Sequence, residues 1–309
     1  MKQETTSKGY SAKAKSPSVK PNILMFGYVI YFILLAPYFI APFVWNIIDR
    51  EIGPVLTSLI AQVIFIVPGI IYLLHVKFCE KRSVTEMLSI RSLSWKNALY
   101  ISIITLAFAQ TYSLLGLAIP FLLGDVQMPS SSLAVWQYFL MGAIIATIFE
   151  EFVFRGVLWG EYRNHNVSFW KIALATGLFF GLIHGGIVSV ADTTFSGIFL
   201  YAPLIYITRS IWAPVIHHAI VNGRWGLHPV NFVSSQAEYE AFMPTYLIIM
   251  GIIVAILIPL AVICAKKFWK HNQHNHIAKK DLPKESIAFR LTYWALIVAM
   301  LVAIVLFGV

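Results

Sequence analysis

Charged residues and cysteines are both scarce in this sequence. Only 12% of its 309 residues are Asp, Glu, Lys or Arg, whereas a soluble globular domain carries about 25%. The two cysteines, Cys79 and Cys264, are too few for a disulfide framework, and we expect both to stay reduced. Hydrophobic residues make up 59% of the chain, more than one soluble core can bury. The composition therefore excludes an ordinary soluble domain and predicts an integral membrane protein.

The apolar stretches predict an all-α polytopic transmembrane helix bundle. Each candidate stretch has about the length that crosses a bilayer core of roughly 30 Å. The stretches lie at about 23–48, 53–76, 97–124, 133–160, 169–187, 194–209, 211–230, 244–266 and 289–309. We therefore expect eight to nine spans, preceded by a disordered basic tail at 1–22.

The distribution of basic residues predicts the orientation of the bundle. The net charge of +9 concentrates in the first 22 residues and in particular connections, notably 77–96 and 266–290. The connection at 124–132 contains no Lys or Arg. By the positive-inside rule the N-terminus is expected to be cytoplasmic, and this pattern does not indicate a nucleic-acid surface. Apolar residues among the charges of 77–95 predict an interfacial helix on the inner leaflet.

Ionisable residues inside the apolar stretches are the candidate functional residues. Such side chains are costly in a membrane and mark functional sites. Three stretches contain them, and the set consists of Glu150, Glu151, Arg155, His184, His217, His218 and Asn222.

Helical spacing assigns different roles to the two adjacent glutamates. Glu151 and Arg155 are four residues apart, so they share a helix face and are expected to form an ion pair. Glu150 is rotated by about 100° from its neighbour and has no built-in cation. A lone buried carboxylate suits the role of a general base.

The remaining polar residues supply the other groups that peptide hydrolysis needs. His218 and Asn222 are four residues apart and point the same way, and Phe180 and His184 repeat that spacing. A peptidase needs a base to activate water and donors to stabilise a tetrahedral oxyanion. Glu150 with His184 can supply the base, and His218 with Asn222 can supply the donors. A buried polar network that merely joins helices is the structural alternative.

Two further features predict packing and no chemistry. His217 points about 100° away from its neighbour His218 and is expected to pack between helices. Gly177, Gly181 and Gly185 recur every four residues, which predicts a ridge of small residues that lets another helix approach closely.

A count of helix rise gives an inconsistent depth for one candidate residue. At about 1.5 Å per residue, Glu150 and His218 both come to about 10 Å from the expected cytoplasmic side. The same count from Phe169 places His184 about 22 Å deep. A fifth helix that begins in the cytoplasm or tilts strongly would remove the difference.

The candidate residues resemble the three motifs of the CPBP family, the CAAX proteases and bacteriocin-processing enzymes, also called the Abi family. The motifs EExxxR, FxxxH and HxxxN correspond here to Glu150–Arg155, Phe180–His184 and His218–Asn222. No motif position departs from the pattern, and the resemblance covers about 90 residues from near Ser132 to near Asn222.

The resemblance implies an intramembrane endopeptidase with a cavity open to the cytoplasm. We expect no cofactor or metal, with zinc as the alternative. It implies a CAAX-protease-like catalytic core at 131–230, after N-terminal spans with the interfacial segment at 23–130 and before C-terminal spans at 231–309. It assigns water activation to Glu150 and His184, the oxyanion hole to His218 and Asn222, and supporting roles to Glu151, Arg155 and Phe180.

Several functional alternatives remain open at this point. Glu and two His residues are acceptable zinc ligands, so a metal-dependent protease is one, although Asn is a poor ligand and no HExxH helix is present. A non-enzymatic bacteriocin immunity or signalling scaffold protein is another, and a proton-relay transporter is a third. The expected partners are the lipid bilayer and a peptide or protein substrate, lipidated or membrane-embedded. The expected location is a bacterial plasma membrane, and the substrate is not encoded in any feature of the sequence.

Overall fold

The computed structural model describes residues 54–129, 134–164, 167–184 and 187–273, together with positions 294, 297 and 298. All regular structure within these residues is helical, which confirms the predicted all-α class. The predicted tail at 1–22 and the stretch at 23–48 lie outside the described residues, as does nearly all of the stretch at 289–309.

Seven of the predicted apolar stretches each coincide with one helix. In chain order the helices are α1 Pro54–Phe78, α2 Val84–Met87, α3 Trp95–Leu122, α4 135–164, α5 Phe169–Leu182, α6 187–208, α7 Trp212–Gly223 and α8 Gln236–Asn272. Within the described residues, four segments are long and apolar enough to cross a membrane, namely Val55–Phe78, Trp95–Leu122, Val188–Thr208 and Gln236–Asn272. The total number of spans stays a prediction.

The last two of these helices have different bounds from the predicted stretches. The apolar pattern places the seventh stretch at 211–230, but α7 ends at Gly223 and two short 3-10 turns follow, Arg224–Leu227 and Pro229–Phe232. The last described helix begins at Gln236, well before the predicted 244, because the Ser235 side chain accepts the backbone N–H of Glu238. Such an N-cap lies in polar sequence, so hydrophobicity alone does not reveal it.

The α4 helix is not the regular α-helix that the spacing arguments assume. Two π-helical segments, Phe139–Ala146 and Phe152–Leu158, flank the α-helical turn Thr147–Glu151. Such π segments shift the hydrogen-bond register and are frequent at functional sites. The helix also continues to Asn164, so Glu150 lies about 21 Å from its end. That distance agrees with the 22 Å counted for His184 from Phe169, but the same count still places His218 about 10 Å from Ile211, so helix rise alone does not give one depth for the three residues.

The segment predicted to form an interfacial helix is a packed connection. Its helical part is limited to the single turn Val84–Met87. Met87 and the following Leu88 are buried in the main hydrophobic core, and Gly160 of α4 lies against the Met87 backbone with no room for a Cβ. These two apolar side chains therefore face the protein, where the sequence pattern predicted lipid.

The predicted glycine ridge allows α5 and α6 to approach closely. A Cβ at Gly181 would collide with the side chain of Thr194, and one at Gly197 would come within 2.7 Å of the Gly177 Cα. Backbone contact of this kind needs small residues on both helices. The prediction is confirmed for Gly177 and Gly181, whereas Gly185 lies outside the described residues.

A pair of neutral amides joins α3 to α8 on the outside of the bundle. The Nδ2 atom of Asn97 donates to Asn272 Oδ1 at 3.1 Å, and Asn272 Nδ2 donates back to Asn97 Oδ1 at 2.9 Å. Both side chains are buried. The contact shows that the first turn of α3 lies beside the last turn of α8.

Exposed tryptophans mark both ends of the bundle. At the near end, where α3, α5 and α7 begin and α8 ends, the exposed tryptophans are Trp95, Trp170, Trp212 and Trp269. At the far end, where α4 begins and α7 ends, they are Trp136 and Trp225. Tryptophan is enriched at the two membrane–water interfaces, so this distribution is typical of a membrane-embedded bundle.

Candidate active site

The candidate site is built around a chain of charged groups between α4 and α7. Arg155 Nη1 donates to Glu151 Oε1 at 3.0 Å, and His218 Nδ1 donates to the same oxygen at 2.9 Å. Glu151 and Arg155 are both 0% exposed. The predicted ion pair is therefore confirmed, and it extends to the histidine of the third motif.

Aromatic rings enclose the buried guanidinium of this chain. The Cζ atom of Arg155 lies 4.5 Å from the ring centroids of both Phe180 and Tyr201. Such cation–π contacts offset part of the cost of burying the charge. The Phe180 ring also packs against the His218 ring, with centroids 5.5 Å apart, so the aromatic residue of the second motif supports the charges of the other two.

Glu150 lies on the accessible side of His218. Its Oε2 atom is 3.7 Å from His218 Nε2, and its side chain is 18% exposed. That distance is longer than a hydrogen bond. Glu150 Oε2 therefore accepts no hydrogen bond from His218, whereas Glu151 Oε1 accepts one from Arg155 and one from His218. The two nitrogens of His218 therefore face two different glutamates, and of these two side chains only that of Glu150 is partly exposed.

His184 lies just beyond the end of α5, beside the same aromatic ring. Its Nδ1 atom donates to the Phe180 carbonyl oxygen at 2.7 Å, and the two rings are 4.6 Å apart. A proton on Nδ1 leaves Nε2 of the neutral ring as an acceptor. No hydrogen bond joins His184 to Glu150 among the described residues; His184 contacts Phe180, which in turn contacts His218.

Asn222 is bonded to α4. Its Nδ2 atom donates to the Gly142 carbonyl oxygen at 3.1 Å and to Thr147 Oγ1 at 3.3 Å. Gly142 belongs to the first π segment, where the altered register leaves a carbonyl in reach of a neighbouring helix. The Asn222 amide hydrogens are therefore directed at protein groups.

His217 packs between helices, as predicted. Its Nδ1 atom and Thr105 Oγ1 are hydrogen-bonded at 2.8 Å, and its ring lies 4.8 Å from the Tyr201 ring. Residue His217 is buried. It therefore contacts α3 and α6 and lies apart from the two glutamates.

Three residues that the sequence reasoning missed complete the network. Tyr201 contacts Arg155 and both histidines of α7, Thr147 bonds to Asn222, and Thr105 bonds to His217. The position of Thr147, three residues before Glu150, was a usable signal because residues three apart share a helix face. Tyr201 and Thr105 are ordinary residues of apolar stretches, and no spacing distinguishes them.

Glu150 Oε2 and His218 Nε2 are the two site atoms best placed to bind a cation, since they lie 3.7 Å apart and Glu150 Oε2 accepts no hydrogen bond among the described residues. A group of three or more His, Cys, Asp or Glu side chains suited to a metal is not found in the described part of the chain. A metal-independent site stays a prediction.

Comparison with known proteins supports the family resemblance. Residues 132–224 match the family model described as type II CAAX prenyl endopeptidase Rce1-like. A protein of Bacillus subtilis (strain 168) named "Putative membrane peptidase YdiL" is 30% identical over 89 residues, which are 29% of this chain and 36% of that relative. The match thus spans little more than a third of the relative's length. No solved structure matches.

The matched segment contains all three motifs and the whole charged chain from Arg155 to His218. The membrane-type helices, the motif geometry and both comparisons agree, and through residues 132–224 this chain is similar to membrane proteins of the CAAX-protease type.

Proposed function

We propose that this protein is an intramembrane glutamate-type endopeptidase in which Glu150 is the general base. The observation that carries the proposal is the position of Glu150, whose side chain is partly exposed and whose buried Oε2, free of any hydrogen bond among the described residues, lies 3.7 Å from His218 Nε2. A water bound to the Glu150 carboxylate can lose its proton to it and attack a peptide carbonyl whose oxygen faces the neighbouring imidazole. His184, with Nε2 free as an acceptor, assists in orienting that water.

His218 and Glu151 stabilise the charge that develops on the carbonyl oxygen. Because His218 Nδ1 donates to Glu151, Nε2 donates a hydrogen bond only when the ring is an imidazolium. The Glu151 carboxylate stabilises that form, and Nε2–H then serves as an oxyanion donor. Asn222 contributes a second donor when it releases Thr147 Oγ1, the longer of its two bonds at 3.3 Å.

The proposed substrate is a peptide or protein, lipidated or membrane-embedded, cut at the cytoplasmic side of a bacterial plasma membrane. The motif resemblance supports the substrate class, and the basic tail and connections support the side. Reporter fusions at Lys20, Val190 and Lys280 test the orientation. We expect cytoplasmic signals at Lys20 and Lys280 only, and a cytoplasmic signal at Val190 would contradict the proposed side.

The decisive experiment is a cleavage assay on a peptide library with the purified full-length protein. Glu150→Gln keeps the shape of the side chain and removes the base, so turnover should fall by about 100-fold or more. Glu240→Gln is the matched control because Glu240 is an exposed carboxylate on α8, and it should keep full turnover. Cleavage by Glu150→Gln at the wild-type rate would reject the proposal.

Two additional arms separate the alternative functions. Cleavage should survive a strong chelator; loss of cleavage that zinc reverses would favour the metal-dependent version of the protease. If neither variant nor wild type cuts any peptide and Glu150→Gln keeps the biological phenotype, the immunity or scaffold function replaces the peptidase.

A further inference from the structure

A cavity lies at the far end of the bundle, between α3, α8 and the turn that follows α7. Its volume is about 280 Å³, close to the lower bound of about 300 Å³ for small-molecule pockets. We call it the far-end cavity. The proposed peptidase chemistry uses none of its lining residues, which include Arg224, Asp125 and the aromatic residues Tyr112, Trp225, His228, Tyr239 and Tyr246.

Hydrogen bonds to α8 fix the two irregular segments that line the far-end cavity. Gln236, at the start of α8, holds the connection after α3. Its Nε2 atom donates to the Val126 carbonyl oxygen at 2.6 Å, and its Oε1 atom accepts the Met128 N–H at 2.8 Å. Tyr246 Oη holds the turn after α7 by donating to the Leu227 carbonyl oxygen at 3.0 Å. The cavity is therefore formed by the fold itself, which lowers the cost of ordering it around a ligand.

The aromatic residues of the far-end cavity form internal walls. The ring centroids of Trp225 and His228 are 5.1 Å apart, and those of His228 and Tyr239 are 6.4 Å apart. Tyr239 and Tyr246 are only 2% and 8% exposed, whereas the rings of an interfacial aromatic belt lie at the membrane surface. On α3, a Cβ at Gly116 would have no atom within 4 Å. Walls of this kind receive the apolar body of a small ligand.

Two opposite charges lie in this mainly apolar lining. The Cζ atom of Arg224 lies 4.9 Å from the Tyr112 ring centroid, and its guanidinium fork matches a carboxylate. Asp125 follows Gly124, whose φ is 75°, and its N–H donates to the Pro120 carbonyl oxygen at 2.9 Å. Both charged residues are in the described part of the chain, and no ion pair joins one to the other. A cation and an anion held apart in one cavity are complementary to a ligand that carries both charges.

We propose that the far-end cavity binds a free amino acid with an apolar side chain. The α-carboxylate of the amino acid pairs with Arg224, its α-ammonium group pairs with Asp125, and its side chain lies against the aromatic walls. The volume of the cavity limits the ligand to a small molecule of this kind. The site is independent of peptide hydrolysis, so its test measures binding alone.

The test is equilibrium dialysis of the purified full-length protein in neutral detergent against L-leucine, L-methionine, L-phenylalanine and L-tryptophan. The amino acid that binds best is then compared with its analogues that lack either the carboxylate or the ammonium group. For phenylalanine these analogues are phenethylamine and 3-phenylpropanoate. Each analogue loses one charge-assisted hydrogen bond and should therefore bind about tenfold more weakly or worse.

Each charged side chain of the cavity should affect the recognition of one group only. Arg224→Gln should weaken binding of the amino acid about tenfold and make it equal to that of the amine analogue. Asp125→Asn should likewise make it equal to that of the carboxylate analogue. Gly116→Leu fills the cavity and should weaken all three ligands. Because Asp125 and Gly116 are exposed, their variants guard against a folding defect of Arg224→Gln.

Lys96→Gln and Asp192→Asn are the matched controls. Lys96 is an exposed cation whose Nζ lies 5.9 Å from the Trp95 ring centroid at the near end, and Asp192 is an exposed carboxylate on α6 outside the cavity. Each control should change the affinity less than about twofold. Equal weakening by the controls, binding of either analogue as tightly as the amino acid, or no binding of any of the four amino acids at about 10 mM would overturn the site.

Discussion

The central helices and the outer pair α3–α8 bury polar groups in opposite ways. In the centre, α5 buries ten of its 14 residues and encloses charges from α4 and α7. On the outside, α8 buries only eight of 37 residues, and its polar link to α3 is the neutral pair Asn97–Asn272. Buried charges occur where protein surrounds them on all sides. Between the outer helices, two neutral amides that hydrogen-bond to each other provide the polar contact.

The largest expected effect on stability comes from removing the central carboxylate. Glu151→Gln leaves Arg155 as a buried charge without its counter-ion, which should lower the free energy of unfolding by about 3–5 kcal/mol. Because Glu151 also accepts from His218, activity per folded molecule should fall too. Denaturation in detergent and specific activity measure the two effects.

Two comparison variants sharpen this prediction. Glu150→Gln should remain near wild type in stability because Glu150 has no ion partner within hydrogen-bond distance among the described residues. Glu151→Gln/Arg155→Met should recover part of the lost stability, since neither charge remains. A stable, inactive Glu151→Gln beside a fully active Glu150→Gln would mean that the two roles are exchanged.

Close packing in the centre should make a single added methyl group costly. Gly181→Ala places a Cβ in collision with Thr194 and 2.7 Å from the Val190 carbonyl oxygen, so we expect a loss of about 1–3 kcal/mol. Gly116→Ala on α3 has nothing within 4 Å and should gain up to about 1 kcal/mol from helix propensity. Equal thermal stability of both variants would contradict the proposed contrast between centre and periphery.

The outer amide pair should respond differently to single and double substitution. Asn97→Ala removes the cross-helix partner of the buried Asn272 amide, which keeps its bond to the Phe268 carbonyl oxygen, and should cost about 1–2 kcal/mol. Asn97→Leu/Asn272→Leu removes both polar groups and should return close to wild type. A double variant less stable than the single one, measured by urea or thermal unfolding, would show that the two amides stabilise the protein beyond their mutual hydrogen bonds.

The smallest effect is expected at the histidine that packs beside the site. Thr105→Val removes the hydroxyl that bonds His217 Nδ1, which should cost about 1 kcal/mol. Turnover per folded molecule should not change, because His217 lies apart from both glutamates. A large loss of turnover with normal stability would give His217 a functional role.

Local patterns predicted well wherever the relevant contact lies within one helix. Glu151 and Arg155 pair because they are four residues apart, and that spacing survives although a π segment begins at Phe152. The glycine ridge could be predicted because Gly177 and Gly181 share one face of one helix, although the partner helix could not be. The pattern shows that Met87 and Leu88 are apolar but cannot show whether protein or lipid covers them; the structure buries both, and a position of this segment on the inner leaflet stays a prediction.

The sequence by itself determined the membrane class, seven of the described helices, the three motifs and the Glu151–Arg155 pair. These depend on hydrophobicity and spacing along a single segment, which can be read directly from the chain. Only the tertiary structure decided that His218 faces both glutamates, that Asn222 bonds to α4, and that Tyr201 covers Arg155. Each of those contacts joins residues distant in the chain, and the rotation and depth of packed helices, altered here by two π segments, determine which of them meet.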